Sequence, residues 1–269
     1  MNKLSIFLLS LCFTLNVLAE QKSADDFCFE KDENCTFVVF SEFTDGDARQ
    51  FVINASRANT QLTPFSTFKI PNSVIGLETG LIKDSNQTLT YNKAKYPNEP
   101  WWPAVWKAET FNLASAFKYS MVPIYRELAT NIGADKMKHY LKLFNYGNQN
   151  ITSGLDDFWL NGSIKISALE QVTFLKKLYN NDFSLSAHTL DTLKEVMLVK
   201  QTPHYKLYAK TGTGRVDDKS MLAWYVGFVE NDKGRHFFAL NLNRTTYAKV
   251  KAIRKNIALN HLKKMHIIN

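Results

Sequence analysis

Apolar positions follow one spacing at the two ends of the chain and another in its middle. Thr36 to Ser41 (TFVVFS) and Gln50 to Asn54 (QFVIN) are short runs rich in β-branched and aromatic residues. Asp45-Gly46-Asp47 between them supplies turn chemistry, so a β-hairpin is expected. Similar runs return at Tyr205–Lys210, Met221–Val229 and His236–Leu242. Gly212 and Gly214 are expected to separate the first two, and Asp232-Lys233-Gly234 the last two. In the middle the spacing is helical. Met137, Tyr140, Leu141 and Phe144 follow i, i+3, i+4, i+7 within Ala134–Phe144. Ser167 with Glu170 forms a capping box ahead of Leu169, Val172, Leu175 and Leu178. Ala248–Lys264 is a third amphipathic helix, with Val250, Ile253 and Ile257 on one side.

Strands at both ends with helices between them predict an α/β (α+β) fold whose termini meet in one antiparallel sheet flanked by helices. Residues 20–63 and 196–269 would form the sheet part, and residues 64–195 an inserted helical lobe. A cleft between two such parts is a natural ligand site.

The first twenty residues stand apart from this pattern. Lys3 gives a positive start, Leu4 to Val17 is almost unbroken apolar sequence, and Val17-Leu18-Ala19 fits a small-residue cleavage site. Residues 1–19 therefore read as a cleaved secretory signal peptide, which predicts export to the periplasm. No later segment approaches membrane-spanning length, so no membrane anchor is expected. Leu11 before Cys12 is too bulky for a lipid-attachment motif, and Cys12 should leave with the leader. Cys28 and Cys35 remain, an even pair suited to a disulfide in an oxidising compartment; the alternative is two buried thiols. With 269 residues, 45% of them hydrophobic, the chain can bury a sizeable core. The net charge of +8 is spread along the chain, which argues against a nucleic-acid-binding tail. His261 and His266 do not share a helical face well, and no metal-ligand spacing occurs, so no metal is expected.

The chemistry-bearing candidates begin with Pro64-Phe65-Ser66-Thr67-Phe68-Lys69, which reads as a helix start. Residues three apart share a face, so the Lys69 amine can reach the Ser66 hydroxyl, and a serine nucleophile needs such a base. The tetrapeptide alone decides nothing, because Ser115 to Lys118 repeats its spacing. Lys210-Thr211-Gly212 ends a strand-like run, where glycine admits a ligand to the strand edge and Lys and Thr offer donors to a carboxylate. Ser120-Met121-Val122, Tyr146-Gly147-Asn148 and Phe158-Trp159-Leu160 followed by Lys165-Ile166-Ser167 complete the set. Singly each suits a helix end, a tight turn or a core plug. Five such patterns in one order are a stronger signal.

Together with the stretches PFSTFKIPNSVIGLETG, YGNQNITSGLDDFWL and WYVGF, these motifs resemble the class D (oxacillinase-type) serine β-lactamases over essentially the whole mature chain. The resemblance implies the fold shared by serine β-lactamases and penicillin-binding transpeptidases, and hydrolysis of β-lactam antibiotics through an acylated Ser66. It implies that carbon dioxide carboxylates Lys69, whose carbamate is the base, with no other cofactor. An ordinary lysine resists this: keeping it half neutral at pH 7 costs about 4 to 5 kcal/mol. An apolar pocket penalises the ammonium and can supply that shift. Phe68, Val122, Trp159 and Leu160 are the expected walls, with the Trp159 N–H holding the carbamate. By the same resemblance, the backbone N–H groups of Ser66 and Thr213 form the oxyanion hole. Ser120 and Lys210 relay a proton to the lactam nitrogen, and Lys210, Thr211, Gly212 and Thr213 hold the drug's carboxylate. Many members carry an arginine just before the last helix for that carboxylate. Alignment puts Val250 there, leaving Arg244 as the substitute.

The other readings are a penicillin-binding transpeptidase and a β-lactam sensor that is acylated without rapid turnover. Against the first stands Ser-Met-Val where Ser-x-Asn is expected; a class A enzyme would need Ser-Asp-Asn and Glu-x-x-Leu-Asn, which are absent. Trp101, Trp102 and Trp106 are expected to pack on the helical lobe rather than line the site. A monomer or weak homodimer is expected.

Overall fold

The computed structural model describes residues 28–108 and 110–269; the leader at 1–19 lies outside them. The chain opens with β1 (Cys35–Phe43), β2 (Ala48–Ile53) and α1 (Ala55–Asn59). A 3₁₀ turn at Phe65–Phe68 then leads into α2 (Lys69–Glu78), β3 (Thr88–Leu89) and β4 (Phe111–Asn112). The helices α3 (Leu113–Lys118), α4 (Val122–Ile132), α5 (Ala134–Phe144) and α6 (Phe158–Asn161) follow. After α7 (Ala168–Tyr179) and α8 (Ala187–Met197) come β5 (Leu198–Gln201), β6 (Tyr205–Asp217), β7 (Ser220–Asn231), β8 (Gly234–Arg244) and α9 (Tyr247–Lys264).

The main sheet has the order β2-β1-β8-β7-β6-β5, antiparallel throughout, so the first strand closes on the last. Both faces of the sheet are covered, and alternate residues feed two cores. Val38, Phe237 and Ala239 point into the core shared with the helical lobe, while Phe37, Val39, Phe238 and Leu240 pack with Val250 and Ile257 of α9. That double burial is why these strands read as nearly continuous apolar runs. The helical lobe also contains a small ladder, β3 with β4. Its capping box at Ser167 and Glu170 forms as the sequence predicts.

The glycine reading needs correction. β6 does not stop at Gly212 and Gly214 but runs through both to Asp217. Their lack of a side chain serves close approach instead. A Cβ at Gly212 would lie 2.7 Å from the Pro64 carbonyl oxygen, and one at Gly214 would lie 1.9 Å from the Phe65 ring. The Ser66 turn can therefore press against the strand. Cys28 and Cys35 are joined in a disulfide.

Candidate active site

Ser66 sits in the 3₁₀ turn, pinned on either side. Phe65 adopts a left-handed φ of 48°, and Thr67 donates to the Pro64 carbonyl through its N–H at 3.2 Å and its hydroxyl at 2.8 Å. Gln171 of α7 donates to that hydroxyl at 2.9 Å. Lys69 opens α2, and its Nζ donates to Ser66 Oγ at 3.1 Å. The Lys69 side chain is buried, and burial alone pushes its amine down to about 7. Its surroundings are apolar. Phe68 stacks on Trp159 at 5.4 Å, Phe158 meets Phe68 edge-on, and the Tyr125 ring lies 4.9 Å from Nζ. Trp159 is fully buried, yet its indole N–H has no hydrogen-bond partner among the described residues. A buried donor without an acceptor is costly, and an oxygen placed beside it would satisfy it. Val122 and Leu160 are half-buried, the one opening α4 and the other following Trp159.

The repeated Ser-x-x-Lys has a different fate. Ser115 is spent in a capping box with Asn112 at the start of α3, and the Lys118 ammonium lies over the Tyr119 ring. Spacing is shared by the two copies; burial and company are not.

Ser120, between α3 and α4, has a φ of 55° and accepts a hydrogen bond from Lys210 Nζ. Lys210 is buried and also donates to the Thr211 carbonyl at 3.0 Å. Burial first, then the charges of Lys69, Arg254 and Lys255, hold its amine well below the ordinary lysine value. β5 pairs β6 only between Lys206 and Tyr208, so from Lys210 onward that edge of β6 faces the Ser66 turn instead of a strand. Thr213 donates to the Gly212 carbonyl at 2.6 Å and accepts from Arg254 Nη1. The result is a serine beside two buried lysine amines of lowered basicity, with the buried Arg254 guanidinium at Thr213.

A family model for the penicillin binding protein transpeptidase domain matches residues 30–263. The β-lactamase OXA-48 of Klebsiella pneumoniae is 42% identical over 197 residues, 73% of this chain and 71% of that one. The crystal structure of FUS-1 (OXA-85), a class D β-lactamase from Fusobacterium nucleatum subsp. polymorphum, superposes with a TM-score of 0.78 at 32% identity, covering 88% of this chain and 94% of that one. The chain belongs to the class D serine β-lactamases. Within the same similarity lies the regulatory protein BlaR1 of Bacillus licheniformis, 30% identical over 76% of this chain but only 33% of its own length.

In this class D enzyme Arg254, not Arg244, reaches the KTG strand. Arg244 ends β8 and pairs with Asp32 at 3.3 Å, whereas Arg254 projects from α9 to Thr213. Val250, aligned with the family arginine from sequence, is fully buried in the core one helical turn earlier. The slip is four residues along one face, a register that periodicity cannot resolve. Tyr146-Gly147-Asn148 builds a scaffold behind the pocket. Tyr146 meets Phe68 edge-on, and Asn148 donates to the carbonyls of Lys165 and Ser163 and accepts from the Lys165 N–H. Gly147, at φ 51°, leaves room for the Lys165 carbonyl, which would lie 1.9 Å from a Cβ. Sequence reasoning missed Arg254, Tyr125 and Gln171, which lie far along the chain from the motifs they serve. Trp102 and Trp106 are buried as expected, and Trp106 donates to the Tyr119 carbonyl at 2.8 Å; Trp101 is exposed. No helix among the described residues is long and apolar enough to cross a membrane.

Proposed function

We propose that this β-lactamase works through an acylated Ser66 with Lys69 carboxylated by carbon dioxide. The observation that carries this reading is Lys69 itself: dry, depressed to about 7, 3.1 Å from Ser66, in a pocket whose buried indole N–H lacks an acceptor. A neutral amine can add carbon dioxide where an ammonium cannot, and the orphan N–H of Trp159 suits the added carboxylate. That group would supply a base strong enough to take the Ser66 proton and later one from water. Phe68, Val122, Trp159 and Leu160 keep its surroundings dry. Ser66 Oγ attacks the lactam carbonyl, and the N–H groups of Ser66 and Thr213 stabilise the oxyanion as charge develops. Ser120, bonded to Lys210, delivers a proton to the departing lactam nitrogen. Lys210, Thr211, Gly212 and Thr213 hold the drug's carboxylate, with Arg254 in the part first given to Arg244. The leader-like residues 1–19 support export to the periplasm.

The test is hydrolysis of a chromogenic cephalosporin by the purified mature chain. Sustained turnover that falls when bicarbonate is stripped and returns when it is restored is expected, and Ser66→Ala should abolish it. Normal turnover by Lys69→Ala, or indifference to bicarbonate at every pH, overturns the carbamate reading. The likeness to BlaR1 supports a second reading, a receptor acylated without turnover; a single stoichiometric burst would select it.

A further inference from the structure

We propose that Asp156 is a positioning residue for Lys69, acting through the segment that carries Trp159. The proposal rests on the carbamate reading above. Asp156 precedes Trp159 by three residues and stands just before α6. That helix is a single turn, too short to be stable by itself, and its N-cap Asp157 makes no side-chain cap bond. Its placement therefore depends on the packing of Phe158 and Trp159 against Phe68 and on what grips its flanks.

Asp156 Oδ2 is gripped from two other segments. It accepts from Tyr96 Oη at 2.7 Å and from Arg126 Nη2 at 3.2 Å, with Lys95 Nζ at 3.4 Å. The partners are themselves anchored: Tyr96 is buried, and the Arg126 guanidinium lies 4.7 Å above its ring. Burial alone would raise the Asp156 carboxyl, but the Tyr96 hydrogen bond and the charges of Arg126 and Lys95 hold it below the usual carboxylate range. Arg126 follows Tyr125 on α4. The Tyr125 ring faces Lys69 Nζ at 4.9 Å, its carbonyl accepts from Asn72 of α2, and its hydroxyl bonds Ser73. One carboxylate thus ties together two walls of the Lys69 pocket, α4 with Tyr125 and the α6 segment with Trp159. A site held by such a supporting shell loosens when the shell is cut, even though the shell touches no reacting atom.

The experiment measures the bicarbonate concentration giving half-maximal turnover, with carbamate followed by NMR in ¹³C-bicarbonate and melting temperature recorded in parallel. Asp156→Ala should raise the bicarbonate requirement about tenfold, as loss of outer-shell partners does at metal sites, and weaken the carbamate signal. Asp156→Asn, which keeps an acceptor for Tyr96, and Tyr96→Phe should each raise it less. At saturating bicarbonate all three should return to within about twofold of the unsubstituted rate, because the reacting groups are intact. If Asp156→Ala does not fold, the two milder variants decide. An unchanged bicarbonate requirement, even with a lower melting temperature or maximal rate, makes the clamp merely structural and overturns the proposal. A carbamate signal absent from the unsubstituted enzyme itself instead overturns the base reading, and this inference with it.

Discussion

Burying Lys69 makes the protein's behaviour depend on pH in a definite direction. Its amine is lowered from 10.5 to about 7 in the folded state, and burial is the cause. In buffer free of bicarbonate, the unfolded chain holds a proton across that window that the folded chain has lost, so stability should rise as pH increases from about 7. Below the window both states are protonated, and the folded state carries an unsolvated charge. Denaturant unfolding as a function of pH should show this slope, and Lys69→Met should reduce it; Lys210, depressed in the same direction, keeps part of it. Activity without added bicarbonate should fall as pH drops through about 7, because the ammonium cannot add carbon dioxide. Added bicarbonate should move that limb to lower pH. A limb that stays put counts against a carbamate. Gly147 is the second residue with a sharp expectation. Gly147→Ala would impose both a left-handed φ and a Cβ 1.9 Å from the Lys165 carbonyl oxygen. It should cost about 2 kcal/mol or more, read as a lower urea midpoint.

At the scale of elements, α9 shows how far periodicity carries. Val250, Ile253 and Ile257 mark its buried side correctly, and the helix forms over Tyr247–Lys264. What they leave open is which turn lies beside β6, and there Arg254 meets Thr213. Arg254→Ala should raise KM for penicillins about tenfold or more with a smaller change in kcat, as expected for a lost buried charge contact. Arg244→Ala should leave KM within about twofold, since its partner is Asp32. Steady-state kinetics on both variants checks the pair, and the reverse pattern would restore Arg244. β6 carries the same lesson: Gly212 and Gly214 look like turn residues until the Ser66 turn is seen resting on them.

Across the whole molecule, the chain's two ends are joined by β1 on β8 and by the Cys28 N–H donating to His261 of α9, while the Cys28–Cys35 disulfide ties Cys28 to the start of β1. Reducing the disulfide, or Cys35→Ser, should lower stability by about 2 kcal/mol, the entropy of a short closed loop. Urea unfolding with and without reductant measures it, and kinetic constants should be unaffected because neither cysteine belongs to the site. A midpoint indifferent to reductant would show that the strand pairing alone holds this end. The sequence by itself determined the two-ended sheet, the helical middle and the order of the motifs, since these follow from periods of two and 3.6 residues and from spacings within a turn. Only the tertiary structure decided that Lys69 is buried beside Ser66 while Ser115 is held in a helix cap, that β6 passes through its glycines, and that Arg254 is the arginine at Thr213. Desolvation and close approach depend on residues far apart in the chain that meet only when the lobes pack, and no local spacing encodes them.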